Sequence, residues 1–135
     1  MESVKVFLLS TVLVTSLSVS THQSNSAVLK KTLTPWQPEE IMQKGDLITV
    51  ALSGANVSSD VYRLIVSNGV RTPLWMKDAP ADYLKNTKQI DVTNKFKTTG
   101  FSFENPLSVC REMGNLMEKP ATALMLGNTH AYLGK

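Results

Sequence analysis

Apolar and polar residues alternate along several short stretches of this chain, which is the pattern of strands that bury one face. The clearest alternation is in residues 90–97, where Ile90, Val92 and Phe96 are separated by polar side chains. Pro73 has no N–H to donate, so the strand that contains it is expected at a sheet edge or a bulge. The predicted strands are residues 46–52, 70–76, 90–97, 121–126 and 129–133.

One stretch between the first two strands has the spacing of a helix instead. Ser58 is placed to cap this helix, and Val61, Leu64 and Ile65 follow at the i, i+3, i+4 spacing of one buried stripe. Asn68–Gly69 then provides a stop signal, because glycine readily adopts the left-handed conformation at a helix C-terminus. The sequence therefore predicts a strand, a helix and a strand in its first half.

The second half repeats this order. Asn105 followed by Pro106 opens a helix that Pro120 ends, and Gly127–Asn128 is the two-residue signal of a hairpin turn. Alternating strands and helices of this number favour one helix layer over a small sheet. The predicted fold class is α+β: a small sheet of two βαβ-like halves with one helix layer, closing in a C-terminal hairpin.

The first 26 residues have the layout of a secretory signal. Lys5 precedes an apolar run at residues 6–19, which is shorter than the roughly 20 residues that span a bilayer, and polar residues follow. Cleavage is expected after Ser20 or Ser26; the alternative is a buried strand rich in valine and leucine. The predicted organisation is a signal peptide and cleavage region at 1–26, a polar tether at 27–35 and a single α+β domain at 36–135.

Charge and reactive residues argue against several classes of function. The net charge of the 135 residues is +3, and the basic residues are scattered, so the sequence shows no nucleic-acid footprint. The single cysteine, Cys110, lies on the apolar helix face, where a buried thiol is favoured over a nucleophile. His22 and His130 have no second ligand at metal spacing, and no phosphate-binding or hydrolase motif is present. We therefore expect no enzyme activity, metal or cofactor.

Three segments resemble the secretin-partner family of type IVb pili, which includes the C-terminal domain of toxin-coregulated pilus biosynthesis protein Q and bundle-forming pilus protein G. They are residues 72–83, residues 96–104 and Gly127–Asn128. Trp75 takes the place of the family's strand tryptophan, and Gly100 to Phe103 take that of a turn before an amphipathic helix. The resemblance covers Trp36 to Lys135.

The resemblance implies a non-enzymatic periplasmic subunit of pilus biogenesis that localises or stabilises an outer-membrane secretin. Its partners would be the secretin or other pilus-assembly proteins, and membrane association would occur only through them. The partner-binding residues predicted on the terminal strand are Thr129, His130, Ala131, Tyr132 and Leu133. The alternatives are a secreted inhibitor or immunity protein that binds a hydrolase, and a hydrolase without a recognisable motif.

Overall fold

The fold is a five-stranded mixed sheet with helices packed on one face. The computed structural model describes residues 24–134, so the predicted signal segment lies outside the described residues up to position 23. The helices are α1 (Asn25–Thr32), α2 (Ser59–Leu64), α3 (Thr72–Trp75), α4 (Pro106–Met113) and α5 (Glu118–Gly127). The strands are β1 (Glu40–Lys44), β2 (Leu47–Ala51), β3 (Gln89–Thr93), β4 (Gly100–Glu104) and β5 (Thr129–Tyr132).

The strands lie in chain order, β1-β2-β3-β4-β5. β2 and β3 are parallel, because helical segments connect them, and the other neighbouring pairs are antiparallel. The predicted α+β class is confirmed, and the β2–β3 unit is a βαβ half. The sheet is open, with β1 and β5 at its edges.

The register of the sheet explains why one face is buried. Ile48, Ile90 and Phe103 are paired across the three central strands and are fully buried. Side chains paired in this way project from the same face. They belong to one apolar cluster with residues from all the longer helices, for example Leu29 on α1 and Met125 on α5. The single helix layer that the sequence predicts is therefore present.

The predicted C-terminal hairpin is wrong. Residues 121–126 lie in helix α5, and Gly127 is its last residue, so two helices rather than a turn connect β4 to β5. The segment is rich in alanine, leucine and methionine, which are strong helix formers. Asn128 caps the helix by donating its side-chain N–H to the carbonyl of Leu124 at 2.9 Å. Pro120 falls in the first turn of α5, where proline is tolerated, while α4 ends earlier, at Met113.

The predicted strand at residues 70–76 is also wrong. The chain after α2 continues as a π-helical turn, Ile65–Val70, and then as α3. Pro73 lies in the first turn of α3, where its missing N–H would have no partner in any case. The buried stripe also differs from the expected one, because Tyr62 is buried and Leu64 is 47% exposed.

Gly69 packs against α1 and does not end a helix. A methyl group on this glycine would overlap the Cδ2 atom of Leu33, which is fully buried, so the Leu33 side chain would have to shift within the core. The absence of a side chain therefore allows the π-helical turn to contact the residue that follows α1.

The residues expected to form a polar tether, 27–35, form most of α1 and contribute to the core. Val28, Leu29 and Leu33 are buried, and their spacing is that of one helix face. Ser24 caps the helix by accepting the Ala27 N–H at 3.1 Å. The many polar residues of this segment occupy the opposite, solvated side, and for that reason the composition resembles a linker.

Asn25 fastens the beginning of α1 to the rest of the domain. Its side-chain N–H group donates to Gln43 at 3.0 Å and to Thr87 at 3.3 Å, and its side-chain oxygen accepts the Leu84 N–H at 2.9 Å. One side chain thus connects α1, strand β1 and the loop before β3. Within residues 24–134, no helix has the length and apolar character needed to cross a membrane.

We predict that Gly69→Ala lowers the free energy of unfolding by about 1–3 kcal/mol, because the added methyl group overpacks the contact with Leu33. Urea denaturation followed by circular dichroism measures the loss. Gly127→Ala is the matched control, since nothing lies within 4 Å of the position that its methyl group would take. Equal stability of the two variants would contradict the assigned packing.

Candidate partner-binding edge at strand β5

β5 pairs with β4 on one side, and no strand within residues 24–134 lies on its other side. The Glu104 N–H donates to the Asn128 carbonyl at 2.8 Å, and hydrogen-bonded pairs alternate along an antiparallel ladder. In the observed register, the N–H and C=O of His130 therefore point toward Ser102 on β4. Those of Ala131, the next residue, point away from the sheet. The strand thus presents outward-facing backbone groups at its open edge.

Side chains at both ends of β5 hold it in place. Thr129 donates its hydroxyl to the Met125 carbonyl at 2.8 Å and accepts the Tyr62 hydroxyl at 2.5 Å. Burial raises the pKa of Tyr62 to about 12, so its hydroxyl is protonated at neutral pH and can donate the hydrogen bond to Thr129. At the other end, the Tyr132 hydroxyl donates to the Lys97 carbonyl at 3.2 Å. These hydrogen bonds hold both ends of strand β5 in its position at the edge of the sheet.

The edge lacks the protection that many exposed strands have. The sequence of β5, Thr-His-Ala-Tyr, contains no lysine, arginine or proline, the residues that commonly block unwanted pairing at sheet edges. His130 and Ala131 are exposed, and Leu133, just beyond the strand, is 83% exposed. The five residues predicted from the sequence as partner-binding thus lie together at an open edge.

The face of the sheet opposite the helices carries a row of polar residues. Thr49, Asp91, Ser102 and His130 are paired in register across four strands, and none of them belongs to the apolar cluster. The alternation in residues 90–97 places Asp91 on the polar face of the sheet, yet it is only 4% exposed. Its partner Ser102 lies on the neighbouring strand β4, so no local pattern in the sequence indicates this burial.

This row is not arranged as a hydrolytic triad. Ser102 is 1% exposed and donates its hydroxyl to Asp91 Oδ1 at 2.6 Å, so the hydroxyl is occupied and shielded. Gln89 donates to the same oxygen at 2.7 Å. The His130 Nδ1 atom lies 3.4 Å from Glu104 Oε1, so the ring pairs with a carboxylate instead of activating a serine. The Ser102 and His130 side chains therefore interact with two different carboxylates.

Cys110 lies in the core and is not poised for reaction. It is 2% exposed, and burial raises the pKa of its thiol to about 12, with the nearby Arg71 charge offsetting this only in part. Thiolate is the nucleophilic form, and little of it exists at neutral pH. Among the described residues, no group of three or more histidine, cysteine or acidic side chains is placed to hold a metal ion. His22 lies outside the described residues.

Comparison with known proteins found no matching family model, no matching curated protein and no matching solved structure. The three segments of the sequence resemblance have different local structures. Gly100 begins β4, which precedes helix α4, but Trp75 lies on helix α3 and Gly127–Asn128 ends helix α5. Only the Gly100 segment therefore keeps the place before a helix that the resemblance implies.

We predict that Cys110→Ser lowers the free energy of unfolding by about 1–3 kcal/mol, because it places a hydroxyl in apolar surroundings. Since the pKa of the thiol is higher in the folded state than in the unfolded state, its contribution to stability is full below pH 9 and is lost as the pH rises toward 12. Alkylation of the native protein with iodoacetamide at pH 8 should be slow. Rapid labelling without unfolding would contradict the burial of this residue.

Proposed function

We propose that this protein is an exported, non-enzymatic binding subunit whose partner adds a strand to β5. The observation that supports the proposal is the outward direction of the Ala131 N–H and C=O on an edge strand without blocking residues. Strand addition is a common mode of recognition, in which backbone hydrogen bonds provide affinity and alternate side chains provide specificity. It requires no catalytic group.

The length of β5 limits what backbone pairing alone can contribute. Thr129 and Ala131 direct their backbone groups outward, and each hydrogen bond adds a net ~0.5–1.5 kcal/mol. Association also has an entropic cost of several kcal/mol. Side-chain contacts must therefore supplement the pairing, and the exposed Leu133 is adjacent to the edge to provide one.

We propose that the partner is an outer-membrane secretin of a type IVb pilus, and that the protein acts in the periplasm. The support is the sequence resemblance, together with the position of Gly100 to Phe103 directly before helix α4. The helical positions of Trp75 and Gly127 depart from the family pattern as inferred from the sequence. A secreted inhibitor of a hydrolase would use the same edge, so the identity of the captured protein distinguishes the two functions.

We predict that Ala131→Pro abolishes co-purification of the secretin while the protein still folds. Proline removes the outward N–H and places its ring where the partner strand would pair, and proline is accepted at edge positions that face solvent. The measurement is affinity purification from membranes that contain the neighbouring pilus proteins, with circular dichroism as the folding check. Unchanged capture of the secretin by the folded variant would exclude this edge.

His130→Pro is the contrasting control, because the N–H that it removes points inward to β4. This variant should lose stability by about 1–3 kcal/mol, since a ladder hydrogen bond is lost inside the sheet. A stable His130→Pro and an unfolded Ala131→Pro would contradict the assigned hydrogen-bond direction. Capture of a soluble hydrolase instead of a secretin would support the inhibitor function.

We predict that signal cleavage leaves a mature N-terminus between Thr21 and Ser24. Cleavage after Ser26, the other candidate, would remove Ser24 and Asn25. The side chains of these two residues make four of the hydrogen bonds that hold α1 in place. Mass spectrometry of the protein purified from the periplasm determines the terminus. A mature chain that begins at Ala27, or intact Met1 in the cytoplasm, would contradict the expectation.

A further inference from the structure

A groove of about 600 Å³ lies between helices α2 and α5, away from the residues of β5. Its size falls in the range of ordinary ligand and peptide sites. Met113 and Met125 are buried beneath it, and Ala121 lies beside them. Methionine side chains adapt their shape to different apolar groups, so this floor suits an aliphatic or aromatic side chain.

Arg71 provides an unpaired positive charge on the wall of the groove. Its Nε atom is shielded from solvent and has no hydrogen-bond partner, and no carboxylate in residues 24–134 forms an ion pair with it. The second arginine of the groove, Arg63, is already paired with Asp60. Because Nε is inaccessible, a bound carboxylate would meet the terminal N–H groups of the guanidinium, whose charge no ion pair within residues 24–134 neutralises.

Trp75 positions the guanidinium group and is itself exposed to a partner. The Arg71 Cζ atom lies 5.8 Å from the centre of the Trp75 ring, within the range of a cation–π contact. Trp75 is 68% exposed, and Leu64, which also lines the groove, is 47% exposed. Tryptophan and arginine dominate the binding energy of protein interfaces, which favours a polypeptide over a small metabolite.

We propose that this groove binds a segment of a partner polypeptide that presents a carboxylate next to an apolar side chain. The carboxylate pairs with Arg71, and the apolar side chain packs on Met113 and Met125 beside Trp75. Glu118, on the opposite side of the groove, disfavours a second acidic residue in the segment. No residue of β5 lines the groove, and its occupation does not require the proposed secretin.

The test uses acetyl-Leu-Leu with a free carboxylate as the probe and its C-terminal amide as the matched uncharged probe. Binding is followed through the methyl NMR signals of Met113 and Met125 in the folded protein. We expect the acid to shift both signals at millimolar concentration and the amide to bind at least about tenfold more weakly. Equal shifts with the two probes, or none with the acid up to about 10 mM, would overturn the proposal.

Two arginine variants test which of the two guanidinium groups binds the carboxylate of the probe. Arg71→Gln should weaken binding of the acid about tenfold, which corresponds to about 1.4 kcal/mol. Arg63→Gln, which leaves Asp60 unpaired at the groove, should weaken it less. Trp75→Ala should also weaken binding, and its exposure makes loss of the fold unexpected. Octanoate distinguishes a lipid source, because tighter binding of octanoate than of the peptide would overturn the choice of a polypeptide.

Discussion

The need to cover one apolar face of the central strands determines the arrangement of the whole domain. Ile48, Ile90 and Phe103 project from the same face because of the two-residue periodicity of strands, and helices from both halves of the chain are required to bury them. The same periodicity places Asp91 and Ser102 on the opposite face, where they hydrogen bond to each other. The helices cover only the apolar face, and strands β1 and β5 remain at the two edges of the sheet that residues 24–134 form.

Alternation of apolar and polar residues and helix-capping residues predict several of the strands and helices correctly. The alternation in residues 46–52 and 90–97 predicts β2 and β3, but β3 ends at Thr93 and Phe96 is 61% exposed. The caps at Ser58 and Asn105 predict α2 and α4, although the Asn105 side chain makes no capping hydrogen bond. Residues 70–76 and 121–126 were predicted as strands, because short apolar runs fit either structure. Helix-forming residues favour the helix at 121–126, and Pro73 fits the first turn of α3. Helix α1 is not predicted because its polar side resembles a linker.

The candidate site was predictable only in outline. The sequence predicts partner-binding residues on the strand at 129–133, and within residues 24–134 β5 is an edge strand. The direction of the Ala131 N–H depends on the register with β4, which no local signal in β5 encodes. The sequence pattern does not predict the groove beside Arg71, because the groove forms where α2 and α5 approach each other. The sequence predicts a strand, not a helix, over most of α5.

The two unlike faces of the sheet restrict the sequences that can extend it. A strand added beside β5 would continue the helix-covered face next to Thr129 and Ala131, and the polar face next to His130 and Tyr132. Its residues would therefore have to alternate between apolar and polar. The residue paired with Ala131 would have to be an apolar one. A shift of one residue would expose the apolar set to water and bury the polar set. The edge thus selects among possible partners by the periodicity of their sequence as well as by their shape.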